Sequence, residues 1–218
     1  MIGALKFDLA MQIPETDCDE LVRRAAEGDA SATRTLFEQY RGRLVQMLNV
    51  RMDPRVRGRI DPSDVIQETL AAASHRMERY YSERPLPFYP WLRQIAWEKL
   101  VHEHDRHLRA AKRSVTREQT FRPEISDESA LGLAERFIGS ASSPSEAVQR
   151  SELRHRVRQS LDKLTSEDRE VLLMRYLEQM SSAEIAAIMD STEAAINMQH
   201  MRALERMRKI LSRDHGET

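Results

Sequence analysis

His102, Glu103, His104, Asp105 and His107 are residue types that bind divalent metals. Their order is not H-E-x-x-H, which sets two imidazoles on one helical face with a carboxylate beside them. His102 and His107 are five residues apart and leave a helix in different directions. His104-Asp105 is the pair found in metal phosphohydrolases, but the further ligands that such a site needs on separate segments are not evident. No Gly-rich phosphate loop and no Ser/His/Asp set is present, and Cys18 is the sole cysteine. Neither a metal nor a cofactor is expected.

Other groupings suit recognition rather than catalysis. Asp64, Gln67 and Glu68 stand at i, i+3 and i+4 and share one helix face, able to dock a basic partner or to be a solvated stripe. Between Arg93 and Arg113 basic residues lie on a segment that also carries Trp91 and Trp97, with Tyr80, Tyr81, Phe88 and Tyr89 just before it. Cations hold phosphates and aromatic rings stack on unpaired bases; the ordinary alternative is a charged face over an aromatic core. Near the C-terminus, Asn197, Gln199, Arg202, Arg206 and Lys209 can point outward from one helix. Asn and Gln pair bidentately with adenine, and Arg with guanine or phosphate. Met198 and Met201, at helical spacing, read first as core, and as contacts to thymine methyls second.

These residues need helices to place them. Leu36, Phe37, Tyr40, Leu44, Met47 and Leu48 recur at spacings of three and four. Gly28-Asp29 closes the helix before them. Asp61-Pro62-Ser63 is a start signal for a helix through Val65, Ile66, Leu70, Ala73 and Met77. Arg84-Pro85-Leu86-Pro87 is a loop, because each Pro lacks an amide donor. Trp91, Leu92, Ile95, Ala96 and Leu100 open the next helix. Beyond Ser114 the pattern weakens, with a short helix possible around Leu131 to Ile138 and a linker at Ser142-Ser143-Pro144-Ser145. Leu161, Leu164, Val171, Leu172, Met174 and Leu177 fit two packed helices, the second starting near Thr165. Ser181 and Glu184 form a capping-box pattern. Ile185 to Met189, the turn Asp190-Ser191-Thr192 and a long helix to Leu211, packed through Ala195, Ile196, Ala203 and Met207, complete a helix-turn-helix. An ordinary helical hairpin shows the same pattern.

The expected fold is all-α: two small helical domains, 15–113 and 151–213, joined by an acidic linker, 114–150. The 218 residues are 40% hydrophobic, enough for a core, with 7 glycines and 8 prolines and no alternating strand pattern. No apolar run approaches the ~18 residues that span a bilayer, and no secretion signal is recognisable, so no membrane insertion and a cytoplasmic location are expected. The net charge of −1 conceals a division. From Arg84 to Arg117 there are eight basic residues against three acidic; from Glu118 to Glu152 there are three against seven.

Taken in order, these motifs resemble the sigma factors of bacterial RNA polymerase, sigma-70 family, extracytoplasmic-function (ECF) group, from about Leu21 to Leu211. Asp61 to Thr69 is similar to the polymerase-binding helix of region 2, and Phe88 to Ala96 to the F-x-x-W-L-x-x-I-A segment that leads into the minus-ten reader. Leu161 to Leu164 and Arg169 to Tyr176 are similar to the start of region 4, and Ser182 to Leu211 to its helix-turn-helix. The chain departs from the family with Glu98 where Asn is frequent, Asp190 where Gly is, His200 where Leu is, and Asn197 and Gln199 where Lys and Arg are.

The resemblance implies a non-enzymatic factor that directs core RNA polymerase to promoter DNA. Asp64, Gln67 and Glu68 would bind the polymerase. Tyr80, Tyr81, Arg84, Arg93, Lys99, Arg106, Arg109, Lys112 and Arg113 would meet the minus-ten element. Thr192, Asn197, Gln199, Arg202, Arg206 and Lys209 would meet the minus-thirty-five element. The linker would follow the RNA exit path, anchored by Phe137 and Ile138, and an anti-sigma protein is a further partner. A helix-turn-helix regulator that never joins polymerase and a metal phosphohydrolase are the alternatives. Asp64→Ala with Glu68→Ala should abolish core binding and leave helicity intact, because losing a charged interface partner costs about 2–5 kcal/mol. Unchanged affinity in a pull-down would refute the assignment of these residues.

Overall fold

A computed structural model describes residues 15–52, 58–111 and 147–213, and every regular element among them is helical. Helices α1 (Glu15–Ala26), α2 (Ala30–Arg51), α3 (Pro62–Glu83) and α4 (Phe88–Ala111) form a first bundle. Helices α5 (Ala147–Asp162), α6 (Ser166–Leu172), α7 (Ser182–Ile188) and α8 (Glu193–Arg213) form a second group. The short helix expected around Leu131 to Ile138 lies outside the described residues.

Local chemistry accounts for the helix ends. Gly28 takes the left-handed conformation, φ 92°, that closes α1. Asp29 then caps α2 by accepting from the amides of Ser31 and Ala32 at 2.8 and 3.0 Å. Asp61 does the same for α3, accepting from Ser63 N at 2.8 Å, with Pro62 in the first turn where no amide partner is needed. Arg84, at φ 38°, ends α3, and its amide donates to Tyr80 O at 2.8 Å ahead of Pro85 and Pro87. Helix α4 starts at Phe88, three residues before the expected Trp91, and admits Pro90 within its first turn.

The core of the first bundle is the periodic set read from sequence. Leu36, Leu44, Met47 and Leu48 of α2 and Ile66 and Ala73 of α3 are buried against Leu92, Ile95 and Leu100 of α4. An aromatic cluster seals one end. Tyr80 stacks on Trp91 with ring centres 4.3 Å apart, and Phe88 lies 5.6 Å from each and 5.2 Å from Tyr40.

In the second group Thr165 caps α6, accepting from Asp168 N at 3.2 Å. Helix α6 then widens into a π turn over Leu173–Leu177, which the spacing of apolar residues does not signal. An i→i+5 turn accommodates one extra residue per turn, and it ends with Glu178, whose amide donates to Leu173 O at 3.1 Å. The expected capping box is complete: Ser181 Oγ accepts from Glu184 N at 3.1 Å, and Glu184 Oε2 from Ser181 N at 2.8 Å. Asp190 occupies the left-handed region at φ 50° in the turn to α8, whose first turn Thr192 caps by accepting from Ala195 N at 3.2 Å. Ile196, Ala203 and Met207 are buried as expected, whereas Ala195 is exposed.

The two groups do not stand apart. Met174, Met180, Ile185, Ala186 and Ile196 belong to the apolar cluster centred on the first bundle. Val50 of α2 in turn packs with Val157, Leu161 and Leu177. Helix α7 therefore sits at the junction, and its N-cap is structurally consequential. Ser181→Ala should remove one capping bond and destabilise the chain by about 1 kcal/mol. That corresponds to a fall in melting temperature of about 2–4 °C; an unchanged transition by circular dichroism would show that the cap contributes nothing.

Candidate functional site

Three surfaces carry the residues expected to recognise partners, and a buried polar seam lies between the helices that bear them. On α3, Asp64, Gln67 and Glu68 are all exposed. The opposite side of the same turns buries Val65, Ile66 and Thr69, and Thr69 Oγ1 donates to Val65 O at 2.7 Å. The acidic row is thus held on a helix with its apolar side locked. Glu68 Oε2 lies 3.6 Å from Lys99 Nζ, so the first and second expected surfaces meet at this edge.

The basic, aromatic surface around α4 differs from expectation at several positions. Tyr80 is buried, with its hydroxyl donating to Leu86 O at 3.0 Å; it is a core residue rather than a stacking platform. Tyr81 is exposed and has the Arg84 guanidinium 5.2 Å from its ring centre, while Arg84 also pairs with Asp19. Arg106 is exposed and pairs with Glu103 at 3.1 Å. Phe88 and Trp91 are core, as the ordinary reading of them had it. Of the rest, Arg109 lies on α4, and Lys112 and Arg113 fall outside the described residues.

Arg93 departs furthest. It is buried, with Nε donating to Glu178 Oε2 at 2.6 Å and Nη2 to Glu178 Oε1 at 3.1 Å. Arg51, also buried, donates from Nε to the same carboxylate at 2.7 Å, and its Nη1 reaches both Glu170 oxygens at 2.8 and 2.7 Å. Arg43 makes a bidentate pair with Glu184, both bonds 2.9 Å, and lies 3.5 Å above the Tyr89 ring. Three arginines of the first bundle therefore grip three carboxylates of the second group. Burial alone would raise the Glu178 pKa, but the two guanidinium groups outweigh it and hold the carboxyl at about 2. A cleft of about 470 Å³ adjoins this seam, lined by Arg51, Trp97, Arg169, Glu170 and Ile188 among others. Nothing in the local sequence pattern marks these pairs, whose partners are 85 to 141 residues apart.

The helix-turn-helix presents α8 outward. Asn197 is exposed, but its Oδ1 accepts from Ser182 Oγ at 2.6 Å, tying α8 to α7. That bond occupies one lone pair of the amide oxygen, while the side chain remains exposed. Gln199 is half-buried, and His200 turns inward, its Nε2 2.9 Å from the Tyr176 hydroxyl. Arg202 is exposed. Arg206 is ion-paired with Asp168, and Lys209 pairs with Glu205 at 2.7 Å. Met198 and Met201, read from spacing as core, are exposed by 56% and 65%. They occupy the side of α8 opposite Ile196, Ala203 and Met207. Among the described residues no three His, Cys, Asp or Glu side chains come close enough to hold a metal; His104 is buried.

Known proteins share features of this arrangement. A family model described as "Sigma-70, region 4" matches residues 154–207, which include α6, the π turn, α7 and most of α8. The ECF RNA polymerase sigma factor SigD of Mycobacterium tuberculosis (strain H37Rv) is 27% identical over 204 residues, covering 94% of this chain and 88% of that protein. Over most of its length the chain is similar to ECF sigma factors of the sigma-70 family. The ECF RNA polymerase sigma-E factor of Escherichia coli K12 is 29% identical over 190 residues, covering 85% of this chain and 89% of that protein. BldN of Streptomyces coelicolor is 28% identical over 207 residues, covering 92% and 70%. The fold is also that of CnrH in its complex with the cytosolic domain of CnrY, with TM-score 0.52 at 23% identity, covering 91% of this chain and 99% of that one.

The seam generates a direct expectation. Glu178→Ala would leave Arg93 buried without its partner and Arg51 with Glu170 alone, and stranding a buried charge costs about 3–5 kcal/mol. The packing of α7 and the π turn against the first bundle should loosen, seen as a larger radius in small-angle scattering. The native protein should show a related pH dependence. A carboxylate with a depressed pKa stabilises fully above its ordinary value of 4.5, and the contribution is lost as pH falls toward about 2. A variant as compact as the native chain would rule out a holding role for Glu178.

Proposed function

We propose that this chain acts as an ECF-type promoter-specificity subunit, binding core RNA polymerase through α3 and promoter DNA through α4 and α8. The observation that carries the reading is a division of exposure. Asp64, Gln67 and Glu68 on α3 and the outer side of α8 face solvent, while the apolar sides of the same helices are fully packed. A helix that is buried on one side and uncommitted on the other is a docking element. The region-4 match falls on the helix-turn-helix, a unit that lays its second helix in the major groove.

In this reading residues 15–113 form the polymerase-binding and minus-ten unit, 114–150 the acidic linker and 151–213 the minus-thirty-five unit. Tyr81, Arg84, Lys99 and Arg106 are the described side chains of α3, α4 and their connection best placed to meet DNA. Arg93 becomes accessible to DNA only when the seam separates. Among the described residues no helix is long and apolar enough to cross a membrane. The factor would work in the cytoplasm with polymerase. CnrH is held by the cytosolic domain of CnrY in its solved complex, and an anti-sigma protein is proposed as a partner here too.

Run-off transcription with core polymerase on genomic fragments tests the whole reading. Discrete transcripts should appear only when the chain is added. DNA binding without any association with core would instead favour a helix-turn-helix regulator. Substitutions on α8 should then differ in size. Arg202→Ala should weaken binding to every sequence and flatten the salt slope by about one unit. Arg206→Ala should do less, because Asp168 already neutralises that guanidinium. Equal salt slopes for the two variants would contradict this ranking.

A further inference from the structure

We infer that Met198 and Met201 are specificity-determining residues, reading thymine C5-methyl groups in the major groove. This rests on the proposed placement of α8 against promoter DNA and adds the chemistry of what it reads. Among the described residues the exposed large apolar side chains are Tyr81, Met198 and Met201, so two of the three stand one helical turn apart on α8.

The position of the pair on the helix supports this. Ala194, Met198, Met201, Arg202, Glu205 and Lys209 are each three or four residues from another of the set and form a single broad stripe. Ile196, Ala203 and Met207 form the buried stripe on the opposite side. The N-terminal half of a recognition helix approaches base edges, and in this half the outward stripe is Ala194, Met198 and Met201. From Arg202 onward the helix carries Arg202, Arg206, Arg208 and Lys209, of which Arg206 and Lys209 are ion-paired with Asp168 and Glu205; the net basic charge suits a phosphate backbone. An apolar leading face beside a basic trailing one fits a polyanion whose floor offers apolar contacts.

Hydrogen-bonding readers are scarce on that leading face. The Asn197 carbonyl oxygen is engaged by Ser182 at 2.6 Å, Gln199 is half-buried, and Glu193 repels phosphate. The apolar feature of the major groove is the thymine methyl. Methionine suits it, because an unbranched thioether adapts its shape to a contact of one methyl. The geometry therefore points to a minus-thirty-five element with thymine opposite the first two turns of α8.

The test uses the full chain assembled with core polymerase and a random duplex pool. Failure to select any common element would count against the proposed function itself. Given a selected element, thymines in its upstream half are replaced singly by deoxyuridine, which removes the C5-methyl and leaves base pairing unchanged. Wild-type holoenzyme should bind about three- to fivefold less tightly for each methyl contacted, the effect of burying one such group. Met198→Ala and Met201→Ala should each abolish the thymine-over-uracil preference at one position and bind the uracil duplex as the wild type does. Selection of an element whose thymine-to-uracil replacements leave affinity unchanged would overturn the inference. So would methyl discrimination that persists in the Met198→Ala, Met201→Ala double variant. Should the variants instead lose a protein partner with discrimination intact, α8 would present its methionines to that protein.

Discussion

The arrangement of this chain turns on one carboxylate. Glu178 has no exposed surface and lies between two arginines that come from different helices of the first bundle, Arg51 on α2 and Arg93 on α4. A lone buried charge would be prohibitive, and a two-to-one cluster is tolerable only when its geometry is good and the excess cation finds another partner. Glu170 supplies that partner to Arg51. The π turn before Glu178 and the left-handed Gln179 after it, φ 55°, bend the chain so that the carboxylate enters the seam and α7 follows against α4. With α7 fixed, the direction in which α8 leaves the turn at Asp190 is fixed as well.

This packing sorts the residues proposed for recognition. The acidic row of α3 lies away from the seam and stays open. So does the outer stripe of α8, because α7 and α6 cover only its inner side. Arg93 is committed to Glu178, and Tyr80 to the aromatic cluster. A DNA-binding role for Arg93 and its role in holding the second group are therefore mutually exclusive. In the proposed DNA-bound arrangement that guanidinium would have to leave Glu178, so anything that separates the groups would favour it.

Much of the fold is legible in the residues themselves because its determinants are local. Asp29, Asp61, Thr165, Ser181 and Thr192 each satisfy amides within three residues, so cap and helix start coincide in the chain. The apolar spacing of α2, α3 and α4 predicts their buried sides for the same reason: a helix repeats every 3.6 residues whatever it packs against. Asp64, Gln67 and Glu68 could be assigned to one exposed face by that rule alone. The rule failed on α8. Met198 and Met201 satisfy helical spacing with each other but lie opposite Ile196, Ala203 and Met207, and periodicity does not say which of two apolar stripes faces inward.

The helices, most of their ends and the helix-turn-helix were set by the amino-acid sequence alone, because they depend on neighbours within a few turns or on ordered motifs. Only the tertiary structure decided which charged residues are free to bind a partner. Arg93 and Arg106 look alike in the sequence, both basic and both on α4. One is buried against Glu178 and the other is exposed beside Glu103. The difference lies in a carboxylate 85 residues away, and a contact over that separation leaves no periodic trace in the chain, because it is set by how whole helices pack.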